Sequence, residues 1–216
     1  MSEYENEPIP GLPGNLPAGE HIVWQGAPDW RILARTAFHT RLIAGYFGVL
    51  TVVALVEAIR ATAASPTHFM GVATTIVVGI AGVGLLQLLA WGTTRTTMYT
   101  LTNRRVVMRI GMALPKCINL PLGQVGRVDL NVRADGSGDL PLTLTSAQRL
   151  GYAALWPHAR PWKISTPQPM LRAIPDATNV AALIARTCLA ANPGGAMATV
   201  EAPTASIPHY GEAAAA

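Results

Sequence analysis

Two long apolar runs constrain this chain more than any other feature of its sequence. Residues 69–91 (FMGVATTIVVGIAGVGLLQLLAW) are 23 in number and carry no charge. Residues 42–59 (LIAGYFGVLTVVALVEAI) lie between Arg41 and Arg60 and number 18; as a helix they cover about 27 Å, the short end of a membrane span. Glu57 would be costly at mid-bilayer, but it lies about one turn from the end of its run, where it reaches the interface or takes up a proton. Half of all residues are hydrophobic and 13% are charged, against about 25% charged in an ordinary soluble domain. The expectation is a membrane protein with two spans.

Residues 60–68 join the runs and contain Ser65-Pro66, which suits a tight helical hairpin with both chain ends on one side. Arg31, Arg35 and Arg41 precede the first span and Arg95, Arg104, Arg105 and Arg109 follow the second, whereas the loop offers only Arg60. The positive-inside rule then puts both termini in the cytoplasm. Residues 1–27 form an acidic, Pro/Gly-rich segment without the apolar core of a signal peptide. The charge is uneven: residues 1–29 hold five acids and no Lys or Arg, and residues 92–175 hold eleven Lys/Arg against three acids.

Within the hairpin 42–91, Gly71, Thr75 and Gly79 recur every four residues on the second helix, and Ala44 and Gly48 do so on the first. Small residues at this spacing let helices approach closely. They serve to pack the two helices together; they also permit a foreign helix or a homodimer without requiring either. In residues 28–41 (PDWRILARTAFHTR), Trp30, Leu33, Ala37 and Phe38 make one helical stripe and Arg31, Arg35 and His39 another, the pattern of an interfacial helix.

Beyond residue 91 the period changes from helical to two. In 99-YTLTNRRVVMRIG-111, Val106, Met108 and Ile110 alternate with Arg105, Val107 and Arg109, and Thr102-Asn103-Arg104 supplies the turn. Further strands are expected at 117–122, 126–132, 139–145 and around 162–165, and a helix over 176–191 with Asp176 as its cap. The fold class is therefore an α+β membrane protein: a two-helix transmembrane hairpin, then a small antiparallel β-barrel or sandwich over 92–191 closed by one helix. The Ala/Pro-rich tail 192–216 is expected to be disordered.

Nothing in the chain spells chemistry. The five histidines are scattered and neither cysteine belongs to a CxxC pair. There is no phosphate-binding loop, dinucleotide fingerprint or nucleophile elbow. Gly79, Gly82 and Gly84 fall inside an apolar helix, where packing explains them. No enzyme activity, metal or cofactor is expected. His158 has an imidazole able to ligate a chlorin magnesium, but it lies outside both spans. Trp24 and Trp30 flank 25-QGAPD-29, and Trp156 and Trp162 bracket 157-PHARP-161; these indoles pack into the domain or lie at the interface, or the second pair presents His158 and Arg160 on a docking turn.

The order 20-EHIVWQGAPDW-30, two apolar helices, 99-YTLTNRRVVMRIG-111 and 118-INLPLGQVGRVDL-130 resembles bacterial PH-like domains attached to membrane hairpins. With 135-DGSGDLPLTL-144, 150-LGYAALWPHARPWKI-164 and 167-PQPMLRAIPDA-177, residues 8–190 resemble the PuhB family of photosynthetic complex assembly proteins in purple bacteria. Members of that family are often described with three membrane segments, whereas 150–157 is too short for a third here. The resemblance implies a PH-like barrel and a non-enzymatic assembly factor for the reaction centre and its core light-harvesting complex, LH1. It further implies work through the reaction-centre H subunit in the inner or intracytoplasmic membrane. The different reading is a PH-like membrane protein that binds anionic lipid in stress response or transport.

Three explanations compete for the basic face of Arg104, Arg105 and Arg109. Nucleic acid would want interleaved stacking aromatics or a groove-reading helix, whereas these arginines lie on a strand tethered close to the membrane. Anionic lipid gains about 1 kcal/mol per cation near the headgroups. Acidic surface on a partner subunit is the third.

Overall fold

The computed structural model describes residues 9–61, 66–112, 115–145 and 150–192, with backbone only at 66–68. The expectations for residues 1–8, for most of the interhelical loop and for the tail from residue 193 fall outside the described residues.

The first strand comes from the segment ahead of the apolar runs. β1 (Ile22–Gly26) pairs antiparallel with β2 (Met98–Thr102), placing Trp24 opposite Leu101 and Gly26 opposite Tyr99. Between these neighbours in one sheet the chain runs out through α1 (Trp30–Thr36), α2 (Thr40–Arg60) and α3 (Pro66–Thr96) and back. The folded unit thus takes residues from both sides of the helical hairpin, and the β-rich part expected over 92–191 also includes β1.

Alternation builds the rest of this sheet as anticipated. β3 (Arg105–Ile110) pairs with β2, and β4 (Lys116–Pro121) pairs with β3, giving the order β1-β2-β3-β4. Val106, Met108 and Ile110 are buried on one face. A second sheet holds β5 (Val125–Val128), β6 (Asn131–Val132), β7 (Gly138–Leu144) and β8 (Met170–Ile174). β7 is its centre: the C-terminal half pairs with β5, the N-terminal half with β6, and β8 lies along it. Leu101, Met108, Leu120, Leu140, Leu142, Leu171 and Ile174 meet in the core between the sheets.

The expected barrel is not closed. No strand ladder joins the two sheets among the described residues. At the crossing, Pro121 has no N–H to continue β4, and the chain turns through a 3₁₀ segment (Leu122–Gln124) before β5 begins. The short α4 (Tyr152–Leu155) precedes β8 in the chain, and α5 (Ala177–Ala191) packs on this 3₁₀ turn, β5 and β7, burying Val180, Ala181, Ile184 and Cys188. Burial pushes the Cys188 thiol up to about 11. Asp176 occupies the N-cap position in a left-handed conformation, but its side chain accepts from Asn179 Nδ2 at 2.6 Å and not from the helix backbone.

Two further expectations change. Residues 162–165 form no strand; Pro161 and Pro167 bracket them and withhold two ladder donors, and the pairing partner of β7 is β8 instead. The helix expected over 28–41 ends at Thr36, with His39 left-handed (φ 51°) at the start of α2. Asp29 caps α1 by accepting from Arg31 N at 2.7 Å. Leu33, Ala34 and Phe38 are buried together with Ala90 of α3 and Ala173 of β8. The apolar stripe ahead of the first long helix is therefore turned onto the protein.

Candidate docking surfaces

The two long helices set the frame. Both are long and apolar enough to cross a membrane, and their large side chains point outward: Leu42 is 70% exposed and Ile80 69%. α3 continues five residues past Trp91, with Arg95 stacked over the Trp91 ring at 5.1 Å. A Cβ at Gly79 would stand 2.9 Å from Phe47 Cβ, whereas one at Gly48 or Gly71 would meet nothing within 4 Å. Of these three glycines, Gly79 is the one pressed against the neighbouring helix. Ala44, Gly48, Thr75 and Gly79 line a shallow apolar groove of about 450 Å³ between the helices.

The basic hairpin is partly covered. Thr102 Oγ1 accepts from the backbone N–H of Arg104 and Arg105 at 3.2 and 3.0 Å, fixing the turn. Asn103 ties that turn to the segment before β1, accepting from His21 N at 3.0 Å and donating to Gly19 O at 2.9 Å. Arg105 donates from Nε and Nη2 to the two carboxylate oxygens of Glu20, at 2.8 and 3.1 Å, and Thr102 Oγ1 donates to the same carboxylate at 2.7 Å. The Glu20 side chain is only 2% exposed. Burial works to raise its pKa, but the hydrogen bonds from Arg105 and Thr102 and the charge of Arg105 outweigh it and hold the carboxyl below its ordinary value. Upstream, Gln25 Nε2 donates to Pro10 O and Thr100 Oγ1, both at 3.0 Å, and a Cβ on Gly11 (φ 83°) would strike Met98. Residues 9–20 thus lie against the β2–β3 face, which is why Thr100, Thr102 and Val107 are buried. Arg105 is committed to Glu20, Arg109 is half-buried, and Arg104 stays exposed. The acidic start and basic middle of the sequence hinted at this pairing without naming the partners.

The Trp156–Trp162 turn divides into an inside and an outside. His158 is fully buried and offers no docking surface. Its Nδ1 lies 2.6 Å from Tyr99 Oη and its Nε2 3.3 Å from Thr97 Oγ1. Tyr99 Oη already accepts from Arg172 N at 3.2 Å, and Thr97 Oγ1 already donates to Thr93 O at 2.7 Å. One assignment uses every hydrogen: Tyr99 donates to Nδ1, and Nε2–H donates to Thr97. Burial, with the Arg172 charge, lowers the imidazole pKa to about 3, and burial raises the Tyr99 phenol. Both stay neutral, joining β8 and β2 to the end of α3. On the outside, Trp156 is 52% exposed with its ring edge-on to Phe38 at 5.3 Å, and Trp162 is 93% exposed. Arg160 Nη1 donates to Asp129 Oδ2 at 2.7 Å and to Gln168 Oε1 at 3.1 Å.

One cleft was not legible in the sequence. About 820 Å³ in volume, it lies between the second sheet, the Arg160-Pro161 turn and the α1–α2 junction, with Arg127, Arg133, Arg160 and Arg172 in its lining beside Asp129 and Asp139. These residues come from separate strands and loops, so no local spacing marks them. Among the described residues no three His, Cys, Asp or Glu side chains are grouped to hold a metal.

Residues 42–187 match a family model described as bacterial PH domain. A Rhodobacter capsulatus protein described as an uncharacterized 23.7 kDa protein in the puhA 5′ region is 37% identical over 191 residues, covering 87% of this chain and 88% of its own. A crystal structure of a DUF1696 family protein with a pleckstrin-homology domain from Shewanella loihica aligns with 43% of this chain and 71% of its own, at 16% identity and a TM-score of 0.29.

Proposed function

The chain belongs to the bacterial PH domain family, and from that premise we propose that it is a non-enzymatic assembly factor for the photosynthetic reaction centre and its LH1 antenna. The observation that carries this reading is the 37% identity, over most of both chains, to a protein from the puhA 5′ region of a photosynthetic bacterium. The physical form supports it. Outward-facing Leu, Val and Ile on two helices of membrane-spanning length would be unfavourable in water and are satisfied by lipid. The hairpin enters the inner or intracytoplasmic membrane, and the positive-inside rule puts both termini and the PH-like unit in the cytoplasm.

Held at that surface, the unit offers the exposed Trp156 and Trp162 turn, with Arg104 on the basic hairpin, to a reaction-centre subunit, the H subunit in the first place. Exposed Trp and Arg are the residue chemistry of protein docking. Deleting the protein is expected to lower assembled reaction centre and LH1, leaving peripheral antenna and pigment synthesis largely intact. Absorption spectra and immunoblots of membranes from the deletion strain make the test; normal complex levels would refute the proposal.

A further inference from the structure

We propose that the 820 Å³ cleft receives the phosphate group of an anionic phospholipid headgroup from the membrane surface beside it. The argument starts from Arg172 on β8. It is 7% exposed, and its Nε has no hydrogen-bond partner among the described residues; the same is true of Arg133 Nη1. A buried guanidinium with unmatched N–H groups is costly unless an acceptor of negative charge meets it.

The carboxylates nearby are already engaged. Asp129 accepts from Arg127 and Arg160. Asp139 accepts from Arg133 Nη2 and, at 2.8 Å, from the backbone N–H of Ala173. Four guanidinium groups against two carboxylates leave an excess of two positive charges in one concave site, with two unmatched donors on different arginines. A tetrahedral phosphate, with several acceptor oxygens pointing in different directions, fits such a set. The volume lies within the range of small-ligand sites. No Phe, Tyr or Trp lines the cleft, so it lacks the stacking platform a nucleic-acid strand requires.

Position selects the lipid over a soluble anion. Thr36 and His39 line the cleft, and α2, the first long apolar helix, begins at the next residue, Thr40. Pro161 lines it as well and is followed by Trp162 and Ile164, both exposed. Arginines in a cleft, with an exposed Trp next to its lining and a helix entry beside it, are what a headgroup region attracts. The inference rests on the membrane part of the preceding reading and not on the assembly role.

The test uses the full chain in a neutral detergent, with binding followed by calorimetry and by the thermal midpoint. Dihexanoyl phosphatidylglycerol is expected to bind saturably and raise the midpoint, with dihexanoyl phosphatidylcholine and inorganic phosphate each at least about tenfold weaker. Arg172→Met and Arg133→Gln are expected to weaken phosphatidylglycerol about tenfold or more, and Arg186→Gln, exposed on α5, to leave it unchanged. Arg172→Met removes a buried unmatched charge, so its unliganded midpoint is expected to hold or rise. Should that variant fail to fold, Arg133→Gln carries the comparison. Phosphatidylglycerol binding indifferent to Arg133→Gln overturns the site, and inorganic phosphate binding as tightly overturns the lipid as its source. Alkaline carbonate extraction of native membranes separates the two readings. Release of the protein refutes the membrane premise, while retention without a phosphatidylglycerol response refutes the cleft alone.

Discussion

Replacing Tyr99 by Phe tests the interior polar chain with the smallest possible change. The ring is fully buried in the core, and Phe preserves that packing while removing one oxygen. That oxygen holds two partners: His158 Nδ1 at 2.6 Å and Arg172 N at 3.2 Å. Neither partner has access to water, so each is left unmatched at about 1–3 kcal/mol. Their desolvation overlaps, which brings the expected loss to about 2–4 kcal/mol. For a chain of this size that is a fall of roughly 5–15 °C in the thermal midpoint. Near-UV circular dichroism of the detergent-solubilised protein measures it, with Tyr46→Phe on the exposed side of α2 as a control expected to change nothing. A loss below about 0.5 kcal/mol for Tyr99→Phe would falsify the chain as drawn. The same chain sets an acid response. The folded imidazole titrates near 3 and a free histidine near 6.5, so between those values the unfolded state binds the proton and the folded state does not. The stability is complete above about pH 6.5 and is lost on acidification at about 1.4 kcal/mol per pH unit. His158→Gln is expected to give a shallower slope from pH 6 to 4.5; an unchanged slope would count against the assignment.

Three other outcomes follow from the geometry. Glu20→Gln removes the charge that Arg105 and Thr102 hold; because Arg105 remains partly hydrated, the cost is expected to be about 1–3 kcal/mol in urea unfolding. The Glu20 pKa is lowered in the folded state, so this contribution is present above the ordinary carboxyl range and disappears as pH falls through the lower folded value, and wild type and variant should converge in acid. Gly79→Val drives a Cβ into Phe47 and is expected to lower the thermal midpoint by an amount equivalent to about 1–3 kcal/mol, whereas Gly48→Ala, facing open space, should be silent; equal effects would mean the hairpin packs otherwise. Trp162→Ala should change stability by less than about 0.5 kcal/mol, given its exposure, yet reduce co-purification of reaction-centre subunits, and undiminished co-purification would remove this turn from the docking surface.

What the chain alone determined is whatever depends on near neighbours. The length and apolarity of α2 and α3 and the alternation that buries Val106, Met108 and Ile110 are local patterns, and they appear in the folded protein where the sequence puts them. The same logic misread residues 162–165, where apolar and polar residues alternate between two prolines. It gave no strand signal at β8, because all five residues there are buried and no alternation survives. Tertiary structure alone decided the rest. Glu20 meets Arg105 across 85 positions, His158 meets Tyr99 across 59, and Arg127, Arg133, Arg160 and Arg172 share one cleft from separate strands and loops. Whether the sheet closes is likewise settled where the chain turns after Pro121 and α5 packs on that turn. Such contacts are selected by the burial and charge of distant groups once the chain is compact, and no local period records them.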